Sequence, residues 1–85
     1  MRLFHTPYFL RAYGKLPLAI KEKAKIAEKI FRENPFSADL KMHKLSGRLR
    51  HSWAFSIDVR YRIICEFLKN GDVYFHDIGD HSIYR

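Results

Sequence analysis

Residues 53–79 read WAFSIDVRYRIICEFLKNGDVYFHDIG and contain the strongest strand and turn signals in the chain. Apolar and polar residues alternate over much of this stretch, as expected of strands that bury one face. The pair Asn70-Gly71 predicts a two-residue hairpin turn, because both central residues of a type I′ turn need positive φ. We therefore expect an antiparallel sheet whose last two strands cover residues 61–68 and 73–78, after a strand that begins near Trp53.

The predicted turn sets the register of the last two strands. The expected pairs are Leu68 with Val73, Glu66 with Phe75, Ile64 with Asp77, and Arg62 with Gly79. The face expected under the helices contains Trp53, Phe55, Ile57, Tyr61, Ile63, Cys65, Phe67, Tyr74, His76 and Ile78. The opposite face is expected to contain Ser56, Arg62, Ile64, Glu66, Phe75 and Asp77.

Two helices are predicted before these strands. Thr6-Pro7 begins the first, since Thr caps free N–H groups and Pro lacks one. Leu16-Pro17 begins the second, which Asn34-Pro35 ends because a residue before Pro disfavours helix. With a first strand at residues 1–4, the order is β-α-α-β-β-β. This is an α+β fold with two N-terminal helices on one face of a small antiparallel sheet, in one domain of residues 1–85.

The net charge of +7 is concentrated in the middle of the chain. Residues 41–62 contain six Lys or Arg and a single acid, Asp58. Such a region favours polyanions, nucleic acid first, because each neutralised phosphate releases counterions. An ordinary solvated surface is the alternative, but the lack of nearby acids favours a binding patch. The candidate residues for RNA and phosphate are Lys41, Lys44, Arg48, Arg50, His51 and Arg60.

Composition also excludes several kinds of site. The single Cys65 excludes an internal disulfide and a cysteine zinc cluster, and the five His lack the spacing of zinc ligands. We therefore expect no metal and no small-molecule cofactor. No apolar run approaches the roughly 20 residues of a membrane span, and residues 1–9 lack a signal-peptide core. We expect a cytoplasmic protein with no membrane partner.

Three side chains suited to phosphate chemistry are expected at one edge of the sheet. Arg62 begins one strand opposite the end of the next, so His81 leaves the sheet beside it, and Tyr84 follows three residues later. A guanidinium matches phosphate oxygens, and an imidazole exchanges protons near neutral pH. RNA cleavage needs both functions. The alternatives are an exposed His81 without a role and a structural Arg62 paired with Asp77.

Four segments resemble the RelE/ParE superfamily of type II toxins, in particular its RelE/YafQ-like branch. They are TPYFLRAYGKLPLAIKEKAKIAEKIFRENPF (6–36), HKLSG (43–47), WAFSIDVRYRIICEF (53–67) and HDIGDHSIYR (76–85). The resemblance covers essentially the whole chain. It implies a RelE-like fold and an endoribonuclease that cuts mRNA on the ribosome without a metal ion, held inactive by a cognate antitoxin.

The resemblance also implies roles for individual residues. Arg62 matches the arginine placed against the scissile phosphate, and His81 matches the general acid or phosphate stabiliser. Tyr84 matches the aromatic residue that orients the substrate base. His43 matches a histidine of YafQ-like members and is the candidate base. The acidic or histidine position on the middle strands of that branch falls near Ser56 and Asp58.

The sequence therefore predicts a metal-independent endoribonuclease toxin that forms a 2′,3′-cyclic phosphate by attack of the 2′-hydroxyl. The alternatives are a ParE-like inhibitor of DNA gyrase and a non-catalytic RNA-binding domain of the same fold. The expected partners are mRNA, the ribosome with its rRNA, and a cognate antitoxin. We expect acidic residues of that antitoxin to face Arg50 and Arg62.

Overall fold

The structure, a computed structural model, describes residues 1–84 as two helices packed on a mixed five-stranded sheet. The elements are β1 (Leu3–His5), α1 (Pro7–Gly14), α2 (Leu18–Glu33), β2 (His43–Lys44), β3 (Trp53–Ser56), β4 (Arg62–Phe67) and β5 (Val73–Gly79). Short 3₁₀ helices cover Ala38–Leu40, Gly47–Leu49 and His81–Tyr84. The strand order is β1-β5-β4-β3-β2, with β1 parallel to β5 and the other neighbours antiparallel. The predicted α+β fold is confirmed, with a short extra strand, β2, and one parallel pair in the sheet.

Local signals begin and end the helices where the sequence predicts. The Thr6 hydroxyl accepts the N–H of Phe9 at 3.1 Å, and Pro7 occupies the first turn of α1. Pro17 precedes α2, and Asn34 after it is extended, with φ −159° and ψ 103°. That conformation is the one Pro35 imposes on its neighbour.

The core lies between α2 and the sheet. Ala24 and Ala27 are buried and let the helix approach the strands closely. Phe31 is fully buried, with its ring centroid 5.2 Å from that of Phe55 and 5.1 Å from that of Phe75. Burial of one such side chain stabilises a fold by about 1.5–3 kcal/mol. These contacts hold the sheet firmly from one side and leave its other face for function.

The predicted two-residue turn is wrong, because Leu68 and Asp72 close a longer loop. The N–H of Leu68 donates to Asp72 O at 2.8 Å, and the N–H of Gly71, at φ +91°, donates to Leu68 O at 3.0 Å. Asn70 Oδ1 accepts the N–H of Asp72 at 2.9 Å. Arg2 Nη2 donates to the Asp72 carboxylate at 3.0 Å. These side-chain bonds stabilise a three-residue loop instead of a type I′ turn.

The longer loop shifts the strand pairing by one residue, and a bulge at His76 shifts it back. The observed pairs are Phe67–Val73, Glu66–Tyr74, Cys65–Phe75, Ile64–Asp77 and Arg62–Gly79. The last two confirm the prediction, whereas the predicted pairs Glu66–Phe75 and Leu68–Val73 are wrong. Phe75 therefore faces the helices and is fully buried. Tyr74 and His76 lie on the opposite face, so the predicted faces of these three residues are also wrong.

We call the sheet face opposite the helices the open face. Directly paired residues of neighbouring strands share a face, so the register defines its members. They are Phe4, His43, Ala54, Ser56, Arg62, Ile64, Glu66, Tyr74, His76 and Asp77.

Candidate functional site

Arg62 lies at the start of β4, and its guanidinium is tied to the preceding turn. Nη1 donates to Asp58 O at 2.8 Å and to Tyr61 O at 3.1 Å. Within residues 1–84, Nε and Nη2 donate to no protein acceptor, and the alternative ion pair with Asp77 is not formed. The guanidinium is thus held in place with donors left for a ligand.

Asp58 organises the turn that positions Arg62. Its Oδ1 accepts the N–H groups of Arg60 and Tyr61 at 2.9 and 2.8 Å, and Lys23 Nζ lies 3.4 Å from Oδ2. Burial alone would raise the pKa of Asp58, but these hydrogen bonds outweigh burial and hold the pKa below its ordinary value. Asp58 is therefore a structural anion of the turn.

After β5 the chain folds back over the end of the sheet in the 3₁₀ helix His81–Tyr84. Asp80 begins this turn, since its Oδ1 accepts the N–H of Ser82 at 3.0 Å, a bond that lowers the pKa of Asp80. A Cβ atom at Gly79 would lie only 2.6 Å from Cγ2 of Ile83. Glycine at this position therefore lets the C-terminal residues pack against the strand end.

The fold-back brings Arg62, His81 and Tyr84 to the same place. Arg62 pairs with Gly79, two residues before His81, and the ring centroids of His81 and Tyr84 are 6.3 Å apart. Burial raises the pKa of Tyr84, and the nearby charge of Arg62 opposes that rise. The Tyr84 hydroxyl is buried without a hydrogen-bond partner in residues 1–84, while His81 is exposed. A guanidinium, an imidazole and a phenol thus meet at one strand end.

His43 lies on the open face but apart from these three residues. It pairs with Ala54, which pairs with Ile64, so β3 separates it from β4. Strand spacing and a two-residue offset place its Cα roughly 12 Å from that of Arg62. His43 Nδ1 lies 3.1 Å from Lys41 O. Because a carbonyl oxygen only accepts, Nδ1 donates there, and Nε2 of the neutral ring is the proton acceptor.

The six candidate RNA-binding residues form an exposed cationic surface just before β2, on β2, in the loop after it and in the turn before β4. None of them forms a salt bridge within residues 1–84; they are Lys41, Lys44, Arg48, Arg50, His51 and Arg60. Lys44 Nζ donates to Arg50 O at 2.6 Å and lies 5.5 Å from the Trp53 ring centroid. No salt bridge within residues 1–84 therefore neutralises the charge of this surface, although the carboxylate of Asp80 lies near Arg60.

Two polar groups of the open face were not predicted as site residues. His76 Nε2 lies 2.8 Å from Glu66 Oε1, across the strand pair. Asp77 Oδ1 accepts the N–H of Ile78 at 2.8 Å, and burial raises the pKa of Asp77. The bulge turns His76 to this face, and the bulge follows from the loop at residues 70–72. The ability of an Asn side chain to bond two residues onward is the sequence signal that points to that loop.

Two further observations concern metal and membrane. In the part of the chain that the structure describes, no group of three or more His, Cys, Asp or Glu side chains is placed to hold a metal ion. Nor does any described helix have the length and apolarity needed to cross a bilayer. Cys65 is buried, which raises the pKa of its thiol to about 12 and makes it unreactive.

No family model and no curated protein matches the sequence, but solved structures match the fold. The YoeB/ParE toxin from Agrobacterium tumefaciens is 18% identical, with a TM-score of 0.78 over 95% of this chain and 99% of that one. YafQ from E. coli strain BL21(DE3) is 19% identical, with a TM-score of 0.77 over 98% and 97%. A chain of the RelB–RelE antitoxin–toxin complex from Methanococcus jannaschii is 17% identical, with a TM-score of 0.74 over 95% and 94%.

The chain has the RelE/ParE toxin fold. At such low identity the likeness concerns the fold, and it confirms the RelE-like architecture predicted from the sequence. Nearly all of each chain is covered, so the likeness extends over nearly the whole fold. The chemical roles of Arg62, His81, Tyr84 and His43 stay predictions.

Proposed function

We propose that this chain is the toxin of a type II toxin–antitoxin system, an endoribonuclease that cleaves mRNA on the ribosome. The observation that carries the proposal is the strand end where unused donors of Arg62 lie near the unpartnered Tyr84 hydroxyl and the exposed His81. Buried polar groups normally have hydrogen-bond partners, so the hydroxyl favours a ligand atom at this position. A phosphate oxygen would accept from Arg62, and from Tyr84 if the C-terminal 3₁₀ helix shifts to expose its hydroxyl. The RelE/ParE fold supports the toxin assignment.

The proposed reaction uses the three side chains at the strand end and His43, which lies apart from them on the open face. The 2′-hydroxyl oxygen attacks the adjacent phosphorus, the bond from phosphorus to the 5′ oxygen breaks, and a 2′,3′-cyclic phosphate and a 5′-hydroxyl form. Arg62 stabilises the charge on the non-bridging oxygens. His81, as imidazolium, gives its proton to the departing 5′ oxygen, and Nε2 of His43 takes the proton of the 2′-hydroxyl. Tyr84 orients the substrate through a phosphate oxygen or a base.

The cationic surface would hold the RNA on either side of the cut. Its exposed and unpaired side chains can contact successive phosphates and rRNA, and each contact releases counterions. Lys44 and Arg50 are joined by the bond from Lys44 Nζ to Arg50 O and would support Arg62.

A cognate antitoxin is part of the proposal. One structure with this fold is a RelB–RelE antitoxin–toxin complex. Acidic residues of such a partner would face Arg50 and Arg62 and thereby compete with RNA for the same cations. We place the reaction in the cytoplasm, where translating ribosomes are found.

Primer extension on mRNA translated by purified ribosomes tests the nuclease. His81→Ala should slow cleavage by about 10²–10⁴-fold, the usual contribution of a general acid. Arg62→Ala should slow it by about 10²–10³-fold, as loss of a transition-state donor does. Lys29→Ala removes an exposed charge on α2 and should cut like wild type.

Three results would contradict the proposal. Undiminished cleavage by both His81→Ala and Arg62→Ala would show that these residues take no part in the reaction. Inhibition of purified DNA gyrase without any effect on mRNA would identify a ParE-like inhibitor instead. Tight, salt-sensitive RNA binding without cleavage would indicate a non-catalytic RNA-binding domain.

A further inference from the structure

A groove of about 840 Å³ runs along the second half of β5. β1 pairs only with Val73–Phe75, and beyond it the groove lies between β5 and α1, which contributes Tyr8 and Ala12. On the open-face side its lining consists of Leu49, Ser52, Ile64, His76 and Asp77. The groove also reaches Gly79, the cross-strand partner of Arg62. It therefore begins beside the proposed cleavage site.

Charges on the open face are separated by sign. The carboxylates of Asp77 and Glu66 lie on β5 and β4, whereas the cationic surface lies on β2, its following loop and the turn before β4. A phosphodiester backbone is attracted to the cations and repelled by the carboxylates. A nucleotide whose phosphate is bound by Arg62 therefore turns its backbone away from the groove and its base toward it.

Asp77 has one carboxylate oxygen available to that base. Oδ1 accepts the N–H of Ile78 at 2.8 Å, whereas Oδ2 accepts no hydrogen bond within residues 1–84. Asp77 pairs with Ile64, next to the Arg62–Gly79 pair. The Cα atoms of Asp77 and Arg62 are thus diagonal neighbours, about 7–8 Å apart. One nucleotide can reach both.

The rest of the groove suits the flat ring of a base. Ile64 and Leu49 supply apolar surface of the kind that sandwiches bases in protein pockets. The imidazole of His76 lines the same groove, and its bond to Glu66 Oε1 at 2.8 Å restrains the ring. The groove therefore combines apolar walls with polar side chains, of which Asp77 lies within the sheet, whereas Asp80 and Lys15 follow the ends of β5 and α1.

We propose that this groove binds the nucleobase beside the scissile phosphate and that Asp77 selects bases with an exocyclic amino group. The proposal rests on the nuclease function above and adds a substrate preference to it. A carboxylate oxygen only accepts hydrogen bonds, and the amino groups of adenine, cytosine and guanine donate them. Uracil has no amino group, and its one ring donor, N3–H, lies between two carbonyl oxygens that the carboxylate repels, so uracil is disfavoured.

The test compares messages that differ only in the base next to the cut, placed on each side in turn. Wild type should cut messages with A, C or G about tenfold faster than the message with U, as one base contact typically discriminates. Asp77→Asn keeps an acceptor for the N–H of Ile78 but replaces the free oxygen with a donor, so the preference should shift toward U. Asp77→Ser keeps a small acceptor and should make the rates nearly equal. Asp39→Asn changes an exposed carboxylate outside the open face and should behave as wild type.

The outcomes of this test distinguish failure of the base-binding proposal from failure of the nuclease proposal. An unchanged base preference in both Asp77 variants, with cleavage that still depends on Arg62, would overturn the base-binding role alone. If wild type cuts none of the messages, the nuclease proposal fails, and the groove is then tested by binding of short A, C and U oligoribonucleotides. Weaker binding of U that disappears in Asp77→Asn supports the groove, and equal binding of all three overturns it.

Discussion

The hydroxyl of Tyr84 is expected to destabilise the fold and to take part in the proposed cleavage of RNA. It is buried without a hydrogen-bond partner in the described residues, and such a group costs about 1–3 kcal/mol. Tyr84→Phe should therefore raise the free energy of unfolding by about 1 kcal/mol. The same change should slow mRNA cleavage about tenfold, because the hydroxyl is proposed to act when RNA is bound. Urea unfolding and primer extension measure the two effects.

Tyr13 is the matched control, since its hydroxyl already donates to Lys21 O at 3.4 Å. Tyr13→Phe should not stabilise the fold and should leave cleavage unchanged. A loss of stability in Tyr84→Phe, or unaltered cleavage, would show that the Tyr84 hydroxyl does not bind the substrate.

The C-terminal 3₁₀ helix depends on the absence of a side chain at Gly79. A Cβ there would meet Ile83 Cγ2 at 2.6 Å, closer than two carbons can pack. Gly79→Ala should therefore displace His81 and Tyr84 and slow cleavage at least tenfold, with a smaller effect on the melting temperature. Adding Ile83→Ala removes the obstructing methyl group and should restore much of the rate. Failure of the double variant to recover, with the fold intact, would argue against this packing.

Arg2, just before β1, donates hydrogen bonds to Asp72 in the loop between β4 and β5. Hydrogen bonds from Arg2 lower the pKa of Asp72 below its ordinary value of 3.8. Since the folded pKa is the lower one, the resulting stability is present above that value and is lost as the pH falls through the folded pKa. Asp72→Asn should thus reduce the free energy of unfolding most near neutral pH, and the difference from wild type should shrink below roughly pH 4. Urea unfolding across this pH range checks the prediction, and a constant difference would contradict it.

Elements whose signals are local were predictable from the sequence, and contacts between distant residues were not. Thr6-Pro7 and Asn34-Pro35 act on their own neighbours, so both helices were predicted correctly. The loop before β5 depends on Arg2, seventy residues away, which bonds Asp72. Considered without that contact, Asn70-Gly71 favours a type I′ turn. The register predicted from that turn places Tyr74, Phe75 and His76 on the wrong faces of the sheet.

The candidate site was predictable in part for the same reason. The Arg62–Gly79 pair lies beyond the bulge, where the predicted and observed registers agree, so the approach of His81 to Arg62 could be predicted. Asp77 and the groove could not, because the groove forms where α1 packs beside β5 beyond the end of β1. The parallel pairing of β1 with β5 joins the two ends of the chain and has no local signal.

The whole molecule presents a cationic surface of residues 41–62 that is separate from the acids of β4 and β5. Binding of single-stranded RNA should weaken as salt rises, and each lost cation should reduce the slope of log K against log salt by about 0.7. Arg48→Ala and Arg50→Ala should each show this change in fluorescence anisotropy. Lys29→Ala removes an exposed charge from the solvent-facing side of α2 and should leave the slope unchanged. Equal changes in all three variants would mean that binding depends on net charge alone.

The assignment of His81 as general acid is tested most directly by changing the leaving group. Cleavage is measured on a message whose 5′ oxygen at the cut is replaced by sulfur, which departs without protonation. We expect His81→Ala to lose about 10²–10⁴-fold on the oxygen substrate and to match wild type closely on the sulfur substrate. Equal losses on both substrates would show that His81 donates no proton in the reaction.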